Sequence, residues 1–560
     1  MKTRAETLQS IENKSFDVCV IGGGATGSGC ALEAQLRNLQ TVQLEALDFA
    51  SATSSTSTKM IHGGVRYLEQ AIRDFDVKEY EVLTRALHER IHMLRNAPYL
   101  TKTQRFLTPC FDWISILYFE IGLKLYDWIA GRAGLAPSSF VSRQEVLSRM
   151  PTLDPRHLVG AVAYTDGQFD DARYNMALVM TFAEMAGEAL NYARVTSFEK
   201  TADGKIAFVE VEDRFSHRRF KVRARAFINA TGPYADTLRE MATPGARPRM
   251  RLSKGVHILL PLEVLSSEDA LLIPRTEDGR VLFAIPWFGR LLVGTTEKEV
   301  NVNDELYVTR DEVDYLLRHL NKYLARPVTP NQIVSCTAGA RPLVSSADAK
   351  ATKKLARDHE IEIDSRSGLI SIMGGKWTTH RAMAQDTVNA VQRYLGATVT
   401  PSRTLDHLLI GSVGYSPAYW QSLVQEWGVS EQTARHLAQK FGTRASQVLE
   451  LAKHDAALAA PLVQGLAPIC AEVVFGARNE MATSVEDVLA RRIGLQLYSW
   501  GDAIIAAPTV AQLLARELGW SDAATRESAA GYVAKIRDLI QKVGVADEAA
   551  TLHASPNHNH

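Results

Sequence analysis

Residues 16–27, FDVCVIGGGATG, run from an apolar stretch directly into Gly22, Gly24 and Gly27. The spacing is G-x-G-x-x-G, followed by the helix-like ATGSGCALEAQLRN and a second apolar segment, QTVQLEA. Strand, glycine turn, helix and strand predict a βαβ unit whose glycines permit a tight turn and let a pyrophosphate approach the helix N-terminus. Gly22, Gly24, Ala25, Thr26 and Gly27 are then the phosphate-side contacts. Glu45, with Ala46 beside it, ends the second strand 18 residues past Gly27, where an acid accepts from ribose hydroxyls and disfavours a 2′-phosphate. The unit predicts an adenine dinucleotide, FAD or NAD.

Composition narrows the rest. A 560-residue chain that is 46% apolar and 22% charged can bury several cores, so disorder and disulfide-scaffold classes are excluded. Sixty-three basic residues balance sixty-three acidic ones, leaving no global field for nucleic acid. Five cysteines without C-x-x-C spacing argue against a metal cluster, so no metal is expected. The N-terminus, MKTRAETLQSIENKS, lacks an apolar signal core. Residues 106–131, rich in aromatics, are interrupted by Asp112, Glu120, Lys124 and Asp127. They fall short of the roughly 20 apolar residues a span needs, and suit either a helix lying in a membrane interface or a half-buried globular helix.

Further along, 70–131 reads as mostly helical, broken at Pro98 and Pro109, and 252–300 is rich in strand patterns. Residues 227–236, FINATGPYAD, end a strand at Ala230, Thr231 and Gly232, like the second dinucleotide contact of glutathione-reductase-like flavoproteins. A late strand-to-helix passage, ISIMGGKWTTHR, places Gly374, Gly375, Lys376, Trp377 and Thr378 at a helix N-terminus suited to the pyrimidine end of an isoalloxazine. These passages favour FAD. The fold expected is α/β (α+β overall): a discontinuous FAD-binding Rossmann domain (16–100, 150–250, 335–400), an antiparallel-sheet substrate domain (101–149, 251–334), a helical C-terminal domain (405–545) and a disordered tail (546–560).

The aperiodic run SATSSTSTKMIHGGVRYLE, residues 51–69, completes the pattern. Together with ALHERIHMLRNAPYL, GLKLYDWIAG, YTDGQFDDAR, KGVHILLP, IPWFGRLLVGTTE and AGARPLV, it resembles the FAD-dependent sn-glycerol-3-phosphate dehydrogenases, nearest the mitochondrial-type branch. The resemblance covers about 16–530. It implies oxidation of sn-glycerol 3-phosphate to dihydroxyacetone phosphate, with electrons passed through FAD to a membrane quinone. It also implies peripheral attachment, here expected at the inner face of the cell membrane, and a homo-oligomer such as a dimer. The branch's EF-hand loop has no counterpart in the sequence, so calcium regulation is not expected.

By the same resemblance, Arg66, Tyr67, Lys254, His257, Thr295, Arg341, Arg357 and Lys376 are substrate contacts. Arginine forks suit a small phosphate dianion. Thr53, Ser54, Ser55, Lys59, Ile61, His62, Gly63 and Val195 join the cofactor contacts. The catalytic set is His62, Arg66 and Lys376. His62 is the first choice of base because imidazole titrates near operating pH, followed by His257 and then Lys59 or Lys376. His380, Glu297 and Ala338 depart from the family pattern of Tyr, Asp and Ser. Two other readings stand beside this one: an oxidase passing electrons to O2, and a flavin-binding scaffold or tRNA-modifying protein.

Overall fold

A computed structural model describes residues 2–64, 77–345 and 359–545. Its first sheet has a parallel centre. Strand Ser15–Ile21 lies between Thr41–Leu44 and Arg219–Asn229, Glu188–Leu190 extends one side, and Ile370–Gly374 extends the other. The central strand is apolar on both faces because both are covered: helices Ala25–Leu36, Asp171–Glu184 and His380–Tyr394 pack over Val18 and Val20, and on the other side Cys19 and Ile21 pack in a core with Phe198, Val209 and Val211. Ala193–Lys200 and Ile206–Asp213 form an antiparallel ribbon hung from Arg219–Asn229.

Among the described residues the second sheet has ten strands. Its pairings are antiparallel except for Ala270–Ile273, which runs parallel to Thr101–Cys110, so the substrate sheet is mixed rather than purely antiparallel. Thr101–Cys110 corrects the helical reading of that stretch. Its β-branched threonines and Phe106 favour a pleated surface, and pairing with Gly160–Phe169 along its whole length buries it. The domain boundaries shift for a related reason. Gly160–Phe169 and Ser335–Val344, assigned from the sequence to the dinucleotide domain, are hydrogen-bonded into the second sheet, as is the short strand Met60–Ile61. The chain therefore passes from the first sheet to the second between Leu44 and Met60 and again between Asn229 and Met250, and returns between Phe169 and Glu188 and between Val344 and His359; the site is lined by residues of several of these passages.

The C-terminal helices, from Tyr419–Trp427 to Asp522–Val543, share one apolar core with the second sheet, in which Val256 and Ile258 join Val473 and Phe475. They also grip the first sheet through buried ion pairs. Arg173 forks onto Glu480 at 2.6 and 2.9 Å, and Arg492 onto Asp48 at 2.8 and 2.8 Å. The tail after 545 lies outside the described residues.

Candidate active site

The glycine turn is closed by contacts that only glycine permits. Gly22 has φ +122°, and a Cβ there would fall 2.5 Å from the Ala230 carbonyl oxygen; one on Gly27 would fall 2.1 Å from the Gly22 oxygen. Gly24 begins helix Ala25–Leu36 with no side-chain cap of its own. The Ala25 N–H donates to Ser54 Oγ at 2.9 Å, and Thr26 stands half-buried beside it. Glu45 accepts from the N–H groups of Gly23 (2.5 Å) and Leu47 (2.8 Å). Burial raises its pKa, and those two bonds pull the other way. A carboxylate offers about four acceptor sites, so capacity remains for ribose hydroxyls. The Glu45 carbonyl accepts from Ala193 N–H, which sets the strand of Val195 beside Ala46. Ala230 N–H donates to the Ile21 carbonyl, and Gly232, at φ +55°, faces open space.

Beyond the turn is a cavity of about 810 Å³. Its walls carry polar side chains, among them Thr53, His62, His257, Thr295, Arg341 and Lys376, and apolar ones, among them Tyr118, Phe119, Leu123, Leu272, Val281 and Phe283. The loop 53–64 borders the cavity and is pinned repeatedly. Thr53 Oγ1 donates to the Ala340 carbonyl at 2.6 Å, Trp377 Nε1 donates to the Ser54 carbonyl at 3.0 Å, and His62 N–H donates to Thr378 Oγ1 at 3.3 Å. On the facing wall Gly374 and Gly375 have φ +73° and +82°, and a Cβ on Gly375 would press on Met383 Sδ at 2.4 Å. The loop and this wall thus bring Ser54, Ser55, Gly63, Trp377 and Thr378 to one place.

Arg341 is aimed by the strand pair beneath it. Its Nη2 donates to Thr295 Oγ1 at 2.9 Å and its Nη1 to the Thr296 carbonyl at 3.2 Å. A Cβ on Gly255 would lie 2.4 Å from the guanidinium, so that glycine makes room for it. His257, two residues on and on the same face, has Nε2 3.0 Å from Thr58 Oγ1. Burial, helped by Arg341 and Lys59, holds its pKa down at about 3, so it is neutral.

Residues 17–387 match the family described as FAD dependent oxidoreductase, and 402–525 match the C-terminal domain of alpha-glycerophosphate oxidase. The mitochondrial glycerol-3-phosphate dehydrogenase of Rattus norvegicus is 38% identical over 537 residues, 94% of this chain and 74% of the relative. The Homo sapiens protein of the same name is 38% identical over 532 residues, 93% and 73%. A glycerol-3-phosphate dehydrogenase from Bacillus halodurans, solved complexed with FAD, matches with TM-score 0.76 at 28% identity, covering 98% of each chain. This chain belongs to the FAD-dependent glycerol-3-phosphate dehydrogenase family.

For a member of this family the glycine turn, the helix start at Gly24, Glu45 and the Gly374–Thr378 turn fit FAD. Two expected contacts are corrected by the side-chain directions. Lys254 lies one residue from Gly255 and so on the opposite face of its strand. Its ammonium is bound to Glu312 Oε2 at 2.8 Å and the Tyr307 carbonyl at 3.1 Å, away from the cavity. Lys59, at φ +61°, turns its ammonium onto the buried Asp171 carboxylate and the Ser55 carbonyl. It braces the loop rather than presenting a base. Ile61 is fully buried in the core of the first sheet. Arg66, Tyr67 and Arg357 lie outside the described residues.

Among the three departures from the family pattern, Glu297 borders the cavity. Ala338 packs against the core of the second sheet. His380 faces away and stacks edge-on with Trp377 at 5.0 Å, its Nδ1 3.0 Å from the Trp377 carbonyl.

Sequence reasoning missed the acids of YTDGQFDDAR. Asp166 pairs with Arg90, Asp170 with Lys440 and Asp171 with Lys59, all inside the protein. Three acids in six residues beside apolar runs are a signal for buried cations elsewhere in the chain, although the partners cannot be read locally.

Proposed function

We propose that this protein oxidises sn-glycerol 3-phosphate to dihydroxyacetone phosphate among the polar side chains of the cavity and passes the electrons to a lipid-soluble quinone. The observation that carries the reading is Arg341, a guanidinium fixed by Thr295 and Thr296 in the cavity that His62 also lines. A prefixed fork binds a phosphate at little entropic cost. Lys376 adds a cation on the same cavity, and Arg66, Tyr67 and Arg357 complete the expected set.

Bound FAD supplies the hydride acceptor. The chain's own task is to hold the phosphate, orient the C2 hydroxyl and take its proton. His62 is the base in this reading. His257 suits the task poorly, because an imidazole whose conjugate acid has a pKa of about 3 does not retain a proton at neutral pH. The Lys59 ammonium is committed to Asp171.

The quinone is supported by the apolar part of the cavity's lining. Helix Trp113–Ala130 supplies Tyr118, Phe119, Ile121 and Leu123 to it while leaving Trp113, Ile114, Leu117 and Trp128 exposed, Ile114 being 81% exposed. Among the described residues no helix is long and apolar enough to cross a membrane. A helix of this kind suits docking onto a lipid surface, with the acceptor entering beneath it; the inner face of the cell membrane is the proposed location.

Anaerobic addition of glycerol 3-phosphate to the holoenzyme tests the reaction. The flavin absorption should bleach and then recover when a quinone analogue is added. Failure to bleach overturns the substrate assignment, whereas bleaching that only air reverses, with peroxide formed, replaces the quinone by O2.

A further inference from the structure

Two consecutive backbone N–H groups in the loop that carries His62 are held by hydroxyls from opposite walls. His62 N–H donates to Thr378 Oγ1, and Gly63 N–H donates to Tyr126 Oη at 3.1 Å. Tyr126 comes from helix Trp113–Ala130 and is 2% exposed. Its oxygen lies 3.2 and 3.3 Å from the two oxygens of Asp166, which is fully buried. Arg90, itself buried, donates from Nη1 to Asp166 Oδ1 at 2.5 Å and from Nη2 to the Ala133 carbonyl at 2.8 Å.

The polarity of this chain is fixed. A phenol has one proton, and an anionic carboxylate can only accept. Tyr126 therefore gives its proton to Asp166 and turns a lone pair to Gly63. Burial raises the Asp166 pKa to about 6, opposed by Arg90 and Tyr126, so the acid is anionic at neutral pH. The fit at Gly63 is close, since a Cβ there would meet Tyr126 Oη and Leu87 at 2.9 Å. A buried ion pair of this kind is not needed for stability, because apolar side chains of similar volume serve as well. What it supplies is direction.

We infer that Tyr126, oriented by the Asp166–Arg90 pair, is a positioning residue that fixes His62 against the Gly374–Thr378 turn for proton removal from the substrate. The inference rests on the proposed reaction. Without the Tyr126 hydroxyl, Gly63 N–H loses that acceptor, and of these two consecutive N–H bonds the one from His62 to Thr378 Oγ1 stays.

The test is Tyr126→Phe, measured by anaerobic stopped-flow reduction of the bound flavin with glycerol 3-phosphate. The limiting rate per bound FAD is expected to fall about tenfold to a hundredfold, as for a displacement on the order of 1 Å, with little change in half-saturating substrate. Tyr532→Phe is the control. It removes an equally buried hydroxyl, bonded to Gln496 in the C-terminal helices, and should leave the rate unchanged. A Tyr126→Phe enzyme that reacts at the wild-type rate per bound FAD, or loses rate only in proportion to lost FAD, overturns the inference. If that variant does not accumulate as holoenzyme, Arg90→Met with Asp166→Leu removes the acceptor for the tyrosine proton without leaving a lone charge, and the same fall is required of it. Wild-type flavin that does not bleach sinks the proposed reaction itself; bleaching wild type with an unimpaired variant sinks only the role of Tyr126.

Discussion

The Lys59 ammonium lies against the Asp171 carboxylate with the two side chains 2% and 0% exposed. Asp171 also accepts from the N–H groups of Ser57 at 3.0 Å and Ala172 at 2.7 Å, so one acid ties the cofactor loop to the start of helix Asp171–Glu184. Removing one partner strands the other charge in a dry interior. Lys59→Met is expected to destabilise the holoenzyme by about 3–5 kcal/mol. Adding Asp171→Asn should recover a large part of that loss. A double-mutant cycle by urea denaturation checks this, and additive effects would show that the two groups do not interact.

Asp48 extends the same logic to the C-terminal domain. It follows Glu45 by three residues, and Arg491 and Arg492 both reach its carboxylate. Those arginines hold its pKa down at about 2 against burial. The loop they fix packs Phe49 under Gly23 and sends Ala50 N–H to the Gly23 carbonyl at 3.1 Å. Arg492→Met should therefore loosen the ribose-side loop and weaken FAD retention by about tenfold to a hundredfold, the scale of a lost charged hydrogen bond. Release of free flavin, followed by its fluorescence, measures it. Unchanged retention would confine Arg492 to holding the domains together.

The parts legible in the sequence were those whose physics is local. Gly27 is required by its approach to the Gly22 oxygen within the same turn, and Gly22, Gly374 and Gly375 by their positive φ, so their spacing announced them. Thr101–Cys110 was not legible because Phe106 and its neighbours are set by a strand some sixty residues away. Lys254 and Lys59 misled for another reason. Each sits beside true cavity residues, and only side-chain direction, one strand face for Lys254 and one left-handed turn for Lys59, decides that its charge is used elsewhere. Tyr126, Asp166 and Arg90 lie on three separate segments, and no spacing within any one of them encodes the chain they form.

Two buried histidines give the stability a definite pH dependence. Burial depresses His257 to about 3 and His380 to about 4, whereas both titrate near the ordinary value once the chain unfolds. Below pH ~6.5 the unfolded chain therefore binds more protons than the folded one, and stability falls as pH falls, by about 1.4 kcal/mol per unit for each histidine. The loss levels off once the folded-state values are passed. His380→Asn, which keeps a donor for the Trp377 carbonyl, should flatten this acid limb by one histidine's share. Urea midpoints from pH 8 down to 5 read the slope, and an unaltered limb in the variant would mean that His380 is already protonated in the fold.

Gly255 offers a test of Arg341 as the proposed phosphate clamp. A methyl group at this position would lie 2.4 Å from Arg341 Nη2, so Gly255→Ala must push the guanidinium off Thr295 and Thr296. The neighbouring Lys254 faces Glu312 and the Tyr307 carbonyl, and its replacement disturbs those contacts rather than Arg341. Gly255→Ala is expected to raise the KM for glycerol 3-phosphate about tenfold to a hundredfold, the cost of misplacing a charged hydrogen bond. Lys254→Met should lower thermal stability while KM stays near wild type. Steady-state assays with a soluble dye as electron acceptor bypass any membrane step and compare the two directly. A larger KM change in Lys254→Met than in Gly255→Ala would overturn the assignment of Arg341 as the phosphate clamp, because it would place the binding cation on the other face of the strand.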